Sequence, residues 1–348
     1  MDLTTPIVPE ARWHPNFANM VKRPNAWNIA VLNDWATGFK DRDGKFVKEF
    51  QTTFNACFWE LYVNAVLREY KLSVDWRFAS PDFTVTAPWP FTIEATIASN
   101  ADGSPPEHRR ADARLPEDLN EFNRQAILRL SNSLVSKYRK FKSHYARLAH
   151  VKGKPFVIAL ASFDRPHFYL ECQRPLEALL FNYYVDEENY FANAPAESPI
   201  PRLFLPSVRK SDEAVIALGL FQNGGMPEVS AVLFSNCATW GKVRALSDDP
   251  NPNIHFTALR SNPHSPRPQV MKCLKCGYRE SLLDGLRVYH NPGALYPLDP
   301  AIFRNQDVFQ VYYCHDREDW IYEHADRQLL SRRVWTVNSG LPYGNAVS

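Results

Sequence analysis

Two acidic residues stand at matching points of two consecutive short segments, and this is the feature of the chain that most clearly suggests chemistry. Asp82, Thr84 and Thr86 alternate with apolar residues in the first segment, and Glu94 lies between apolar residues in the second. Because side chains alternate between the two faces of a strand, each segment is predicted to be a strand with one polar and one apolar face.

Whether these two carboxylates meet depends on the register in which the two strands pair. Burying both apolar faces together favours a register that pairs Thr86 with Pro90 and therefore Asp82 with Glu94. Facing side chains in such a pair have their β-carbons about 4.5–5.5 Å apart. Two carboxylates at that separation repel unless a cation lies between them or one is protonated. We therefore expect a site for a hard divalent ion, Mg²⁺ or Mn²⁺.

The surrounding segments predict the elements that hold this pair. Residues 50–70 have apolar positions at steps of three and four and predict a helix, which carries Glu60. A longer pattern of the same period predicts a second helix over residues 119–148. Strands are predicted over residues 72–78, 82–86, 91–97 and 156–161, a loop over 99–116, and a further helix over 175–185.

Two short motifs carry a family resemblance. Ser80-Pro81-Asp82-Phe83, followed by Phe91-Thr92-Ile93-Glu94-Ala95-Thr96, resembles the signature of the PD-(D/E)xK, or restriction-endonuclease-like, nuclease superfamily. The predicted order of helix, three strands, helix and strand is also similar. The resemblance implies an α/β (α+β) fold with a central mixed sheet flanked by helices. Residues 50–100 also resemble an uncharacterised bacterial group, which implies no function.

The resemblance implies roles for individual residues. Asp82 and Glu94 would bind the metal and act in catalysis, and Glu60 falls where many family members keep an additional acidic ligand. The family lysine would stand at position 96, but this chain has Thr96, which carries no charge. Lys137 on the long predicted helix is the first candidate to supply the missing cation, and Arg129 is the second.

A nuclease also needs contacts to phosphate groups, and basic residues are dense after the proposed site. Lys140 is expected on the outward side of the long helix together with its neighbours Arg139 and Lys142. The predicted nucleic-acid contacts are Arg109, Arg110, Arg124, Arg129 and Lys140. The formal net charge of the whole chain is only +2, so this positive charge is local.

Ordinary structural roles remain open for each of these residues. Asp82 follows a proline and has the composition of a turn residue. Glu94 also suits a partly exposed sheet face, and Glu60 could pair with Arg68 or Lys71. Lys137 could be an ordinary lysine with its stem buried and its amine in water. The first hypothesis is a metal-dependent nuclease, with DNA preferred over RNA. The second is an inactive nuclease-fold protein that binds nucleic acid or a protein partner.

A separate Cys-x-x-Cys pair suggests a third hypothesis, a zinc-stabilised interaction protein. Cys273 and Cys276 have the spacing of one zinc knuckle, and Cys314, His315 and His290 are the only nearby residues that could complete it. A second Cys-x-x-Cys pair is missing, which weakens the zinc prediction.

The remaining predictions concern organisation. An N-terminal arm is expected over residues 1–45, a nuclease-like core over 46–246, and an extension or small domain over 247–348, which begins with five prolines among polar residues between positions 247 and 268. Residues 214–221 and 229–234 are predicted to form a hairpin. Six thinly spread cysteines, no signal-like start and no long apolar run predict a cytoplasmic protein without a membrane span. The oligomeric state is left open, with a homodimer as one alternative.

Overall fold

A computed structural model describes residues 1–101, 103–109, 114–163, 165–193, 200–211, 214–222 and 224–337. Within these residues the chain forms a mixed α/β structure in which helices flank a large mixed sheet. The helices are α1 Pro15–Lys22, α2 Ala26–Trp35, α3 Phe46–Thr52, α4 Phe54–Glu69, α5 Leu119–Ser143, α6 Arg174–Phe181, α7 Glu187–Asn193 and α8 Trp240–Leu246. The first seven strands are β1 Ser73–Val74, β2 Phe83–Ala87, β3 Phe91–Ala98, β4 Phe156–Ser162, β5 Ser207–Arg209, β6 Val215–Ala217 and β7 Ala231–Ser235. The others are β8 Ile254–Asn262, β9 Ser265–Leu274, β10 Arg287–His290, β11 Phe309–Cys314, β12 Asp319–Glu323 and β13 Leu329–Thr336.

Eight of these strands form one sheet in the order β1-β2-β3-β4-β7-β10-β11-β12. The first three strands pair antiparallel, whereas β3, β4 and β7 run parallel to one another. The long helix α5 connects β3 to β4, as a parallel connection requires. Strand β10 then pairs antiparallel with β7 and parallel with β11, and β12 closes the far edge.

Alternating side chains divide the core into two layers. On β4, Val157 and Ala159 belong to the apolar cluster that contains α4, while Ile158 and Leu160 belong to the cluster that contains α5. All seven residues of β4 are buried, as expected for a strand covered on both faces. Helices α4 and α5 therefore cover opposite faces of the sheet.

Of the two helices next to the sheet, α5 begins where its sequence predicts, whereas the helix predicted over residues 50–70 is divided at Thr53 into α3 and α4. Helix α5 starts after Asp118, whose side chain accepts a hydrogen bond from the Glu121 N–H group at 2.8 Å and caps the first turn. The apolar period was predicted to continue to residue 148. The α-helix instead ends at Ser143, and a separate 3₁₀ turn over Tyr145–Arg147 follows. The side chain of Tyr145 is fully buried by this turn.

The hairpin predicted over residues 214–221 and 229–234 is wrong. Strand β6 pairs with β5 in a separate two-stranded sheet, and β7 lies between β4 and β10. The burial of the two strands gives the physical reason. All five residues of β7 are buried, so this strand needs cover on both faces and partners on both edges, whereas β6 is largely exposed.

Residues after 246 take part in two sheets. Strands β10 to β12 complete the large sheet, and β13, β8 and β9 form a separate three-stranded sheet. Between them lies a fully buried ion network, in which Glu280 accepts from Lys242 at 2.5 Å and from Arg332 at 2.7 Å. None of the described helices combines the length and apolar character needed to cross a bilayer.

Candidate functional site

The register of β2 and β3 is the first feature of the predicted site that the structure tests. Phe83 pairs with Ile93 and Thr84 pairs with Thr92, which is the predicted register. Extended by one residue, this register sets Asp82 opposite Glu94. Asp82 lies just before β2, and its Oδ2 atom accepts a hydrogen bond from the backbone N–H group of Ala95 at 2.7 Å. The two acidic residues are therefore brought to the same place by backbone pairing.

Glu94 is a buried carboxylate held by two lysines from α5. Its side chain is 1% exposed, and its Oε1 atom lies 2.7 Å from Lys137 Nζ and 3.0 Å from Lys140 Nζ. The Oε2 atom is also buried but has no hydrogen-bond partner in the described part of the chain. An acceptor in that situation is costly unless a ligand or water occupies the space beside it. Glu94 thus has one oxygen paired with two lysines, and its carboxylate also interacts with the Tyr145 hydroxyl.

Lys137 reaches the site as the sequence analysis expected, whereas Lys140 does so against expectation. Lys140 was assigned to the outward side of the helix. It lies three residues after Lys137, however, so both side chains leave the same side of α5 within one turn. Thr96, at the position where the resemblance leads us to expect a lysine, is half-buried on β3. Two ammonium groups from a neighbouring helix therefore stand near the position where one was expected on the strand.

Asp82 has a cationic neighbour that sequence reasoning missed. Arg42 Nη2 lies 4.0 Å from Asp82 Oδ1, and Arg42 Nη1 donates hydrogen bonds to the backbone carbonyls of Phe78 and Pro81 at 2.6 and 3.4 Å. Arg42 thereby fixes the backbone that leads into β2. Its short run, Asp41-Arg42-Asp43, lies outside any periodic pattern, so nothing in the local sequence indicates this role.

Burial and mutual repulsion change the acid strength of two carboxyl groups. Burial raises the pKa of Asp82 from 3.8 to about 6, and the adjacent Glu94 contributes to the increase. Burial also raises the pKa of Glu60 well above its ordinary value, and the negative charge of Asp82 adds to this effect. Both groups bind a proton more readily than an exposed carboxyl group, so both would favour a cation at this place.

The three acidic residues do not form a compact ligand cluster. Among the described residues, only His14, Glu107 and His108 bring three ligand atoms within 4.8 Å of one another. Glu60 approaches from α4, on the face of the sheet opposite α5, and Glu94 is drawn towards the lysines of α5. The assignment of Glu60, Asp82 and Glu94 as metal ligands therefore stays a prediction.

Two further side chains near the site were missed. The hydroxyl of Tyr145 is buried beside Glu94, and burial, the negative charge of Glu94 and a side-chain hydrogen bond with Glu94 raise the pKa of this tyrosine. Lys140 Nζ lies 5.0 Å from the centre of the Tyr145 ring. His150 forms a 2.8 Å hydrogen bond with the Ser80 carbonyl, in the Ser-Pro-Asp motif. Tyr145 lies near the end of the predicted helix and His150 follows it, and only the tertiary structure brings both residues to the site.

The predicted nucleic-acid contacts are spread over different environments. Arg124 is occupied by Glu121 Oε2 at 2.6 Å and by the carbonyl of Arg209 at 2.6 Å. Arg109 is exposed in the loop after β3, and Arg129 is half-buried on α5. Arg110 lies outside the described residues. Lys140 is the member of this set that contacts the carboxylate site.

The cysteine pair lies at the end of β9. Cys273 and Cys276 are free thiols, and burial together with the charge of Cys276 raises the pKa of Cys273. His290, one proposed additional ligand, is buried on β10 and pairs with Gln310 Oε1 at 3.0 Å. Across the described ranges no third metal-ligating atom joins the pair within 4.8 Å. Zinc at these cysteines stays a prediction.

Comparison with protein-family models, with curated proteins and with solved structures gives no match to this chain.

Proposed function

We propose that this protein is a Mg²⁺- or Mn²⁺-dependent nuclease of the restriction-endonuclease-like type that hydrolyses phosphodiester bonds, with DNA as the preferred substrate. The observation that carries the proposal is the environment of Glu94. A buried carboxylate in the middle of β3 lies opposite Asp82 in register and contacts two lysines of α5. Acidic ligands beside an ammonium group are what metal-assisted phosphodiester hydrolysis requires.

The order of the elements supports the same proposal. Helix α4 precedes β1, β2 and β3, and helix α5 leads to β4. These strands are neighbours in the sheet, antiparallel up to β3 and parallel from β3 to β4. This is the succession that the PD-(D/E)xK resemblance implies, with Asp82 at the start of the second strand and Glu94 within the third.

Each residue has a definable task in this reaction. Asp82 and Glu94 would hold the ion, and Glu60 would bind it directly or through water. When bound, the ion supplies a more acidic water and stabilises negative charge on the phosphate. Because the pKa of Asp82 is raised to about 6, the divalent ion would occupy the place that a proton otherwise favours.

Lys137 would perform the task of the lysine missing at position 96. Its side chain is 23% exposed, so the ammonium group contacts Glu94 and also faces solvent. From there it can donate a hydrogen bond to a phosphate oxygen or to the attacking water. Lys140 is more exposed and is better placed to contact the substrate backbone.

A catalytically inactive nuclease-fold protein that binds nucleic acid is the second candidate. Two observations favour it, the absence of a lysine at position 96 and the separation of the three carboxylates. In that case the lysines would neutralise Glu94 permanently and no ion would bind.

A cleavage assay separates the two functions. Supercoiled plasmid, linear duplex, single-stranded DNA and RNA are incubated with the protein in Mg²⁺, Mn²⁺ or EDTA, and strand breaks are measured. We expect metal-dependent cleavage that Asp82→Ala abolishes. Lys137→Met should lower the rate by about 10²–10³-fold, the loss typical when one charged transition-state donor is removed.

Lys142→Met is the matched control, because Lys142 lies on the same helix but its ammonium group stacks over Tyr138 rather than contacting Glu94. Cleavage that is unchanged in Asp82→Ala or in Lys137→Met would refute the proposed site. Binding of nucleic acid without cleavage in any metal would support the inactive protein instead.

A further inference from the structure

A second group of ligating side chains lies away from the carboxylate site, where the N-terminal segment meets the loop after β3. Glu107 Oε1 lies 3.8 Å from His14 Nε2 and 3.6 Å from His108 Nδ1. We propose that His14, Glu107 and His108 form a binding site for a transition-metal ion of the Zn²⁺ class. The ion would fasten the loop after β3 to the start of α1.

The distances are close to those of a metal centre. Zinc binds nitrogen and carboxylate oxygen at about 2.0–2.2 Å with tetrahedral geometry, which places neighbouring ligand atoms about 3.3 Å apart. The two separations from Glu107, 3.6 and 3.8 Å, therefore need to close by about half an ångström, and the ligand atoms of the two histidines lie within 4.8 Å of each other. Three protein ligands leave the fourth position for water.

The type of donor distinguishes this site from the first one. Two imidazoles and one carboxylate suit Zn²⁺ and its neighbours, whereas Mg²⁺ prefers oxygen ligands alone. The two sites should therefore bind different ions.

Outer partners already hold the carboxylate in place. Glu107 is buried, and its Oε1 atom accepts hydrogen bonds from Asn55 Nδ2 at 2.7 Å and from Asn16 Nδ2 at 3.2 Å. The His14 ring stacks on Phe54 with 6.1 Å between ring centres. Groups that hydrogen-bond a ligating carboxylate are a regular part of metal sites, and an ion bound at Oε1 would displace one of these two hydrogen bonds. The site is thus supported from α1 and from α4.

The hydrogen bonds of the two histidine rings show which ring nitrogens can bind a metal ion. His108 Nδ1 is buried and has no hydrogen-bond partner among the described residues. His14 Nδ1 accepts a hydrogen bond from the Asn16 backbone N–H group at 3.2 Å, so the neutral ring carries its hydrogen on Nε2. A metal at Nε2 requires this hydrogen to move to Nδ1, which ends the cap hydrogen bond. Metal binding and the first turn of α1 are therefore coupled.

Zinc binding to the full chain tests the proposal. Metal-free protein is titrated with Zn²⁺ by calorimetry, and bound metal is counted after dialysis. We expect one zinc ion per chain that depends on the cluster. His14→Asn, which retains a capping side chain, His108→Ala and Glu107→Gln should each weaken binding more than the about 10–100-fold that follows loss of an outer partner.

His264→Asn makes a matched change at an exposed histidine outside the cluster and should bind as the wild type does. Asp82→Ala should also retain zinc, because the first site is separate. The proposal is overturned if the wild type binds no stoichiometric zinc, or if the cluster variants bind it unchanged. It is also overturned if Cys273→Ser removes the ion, or if Co²⁺ in place of zinc shows a thiolate charge-transfer band, since both results would place the metal on the cysteines.

Discussion

Replacing Asp82 by asparagine should stabilise the metal-free protein at neutral and alkaline pH. The raised pKa means that the folded structure opposes ionisation of this carboxyl group. Asparagine has nearly the same shape and keeps an oxygen that can accept the hydrogen bond from the Ala95 N–H group. Arg42 keeps its hydrogen bonds to the Phe78 and Pro81 carbonyls after the change. The substitution therefore removes a penalty without removing the contacts that fix the local backbone.

The size and the pH window follow from the two pKa values. In the folded protein Asp82 has a pKa of about 6, against 3.8 ordinarily. Between these values the folded protein holds a proton that the unfolded chain has released, so the free energy of unfolding falls as pH rises from 4 to about 6. At about 1.4 kcal/mol per pKa unit the loss is about 3 kcal/mol. Because 23% of the side chain remains exposed to solvent, we expect a gain of about 2–3 kcal/mol in Asp82→Asn above pH 7.

Urea unfolding in EDTA at pH 4 and pH 8 measures this effect directly. The gain should be present at pH 8 and nearly absent at pH 4, where the wild-type group is also protonated. Asp316→Asn, at an exposed position between β11 and β12, is the control and should change little. In Mn²⁺ at pH 8 the wild type should recover the difference. Equal gains at both pH values, or no gain at either, would refute an ionisation penalty at Asp82.

Two further predictions concern the framework that positions the site. Glu280→Gln should lower the free energy of unfolding by about 3–5 kcal/mol in chemical denaturation, because it leaves the buried charges of Lys242 and Arg332 without their partner. Glu10→Gln, which breaks the exposed ion pair between Glu10 and Lys22, should have almost no effect in the same assay. Trp59→Phe should cost about 1–3 kcal/mol, because it removes a buried 3.0 Å hydrogen bond from the indole to the Ala159 carbonyl on β4. A thermal melt that is unchanged by Trp59→Phe would contradict this estimate.

Local patterns predicted the elements that position the site. The parity of polar and apolar residues around Asp82 and Glu94 gave the correct register, because only one parity buries both apolar faces. The three- and four-residue spacing predicted α5, although not its end at Ser143. Such features depend on the residues of one or two elements, and they can therefore be predicted from the sequence.

Strand pairing and contacts between segments that are distant in the sequence could not be predicted in the same way. Strands β6 and β7 look like a hairpin because they are neighbours in sequence, but β7 pairs with β4, more than 70 residues earlier. Arg42 reaches the site from a segment without a distinctive pattern, and Tyr145 from a 3₁₀ turn where the sequence predicts a continuing helix. Lys140 was assigned to the wrong side because helical period alone does not show how α5 is rotated against β3. These features depend on which surfaces of distant elements pack together. The local spacing of apolar residues in a single sequence does not show this.

The position of β10 in the large sheet has a consequence for how the protein avoids aggregation. Without β10, the outer edge of β7 would expose the backbone groups of five consecutive buried residues, a template for pairing with other chains. In the complete sheet the two free edges are unattractive templates. Strand β1 has only two residues, and β12 carries acidic residues at both ends, Asp319 and Glu323. The C-terminal strands therefore cover an edge that could pair with other chains, and the new edge strand carries acidic residues.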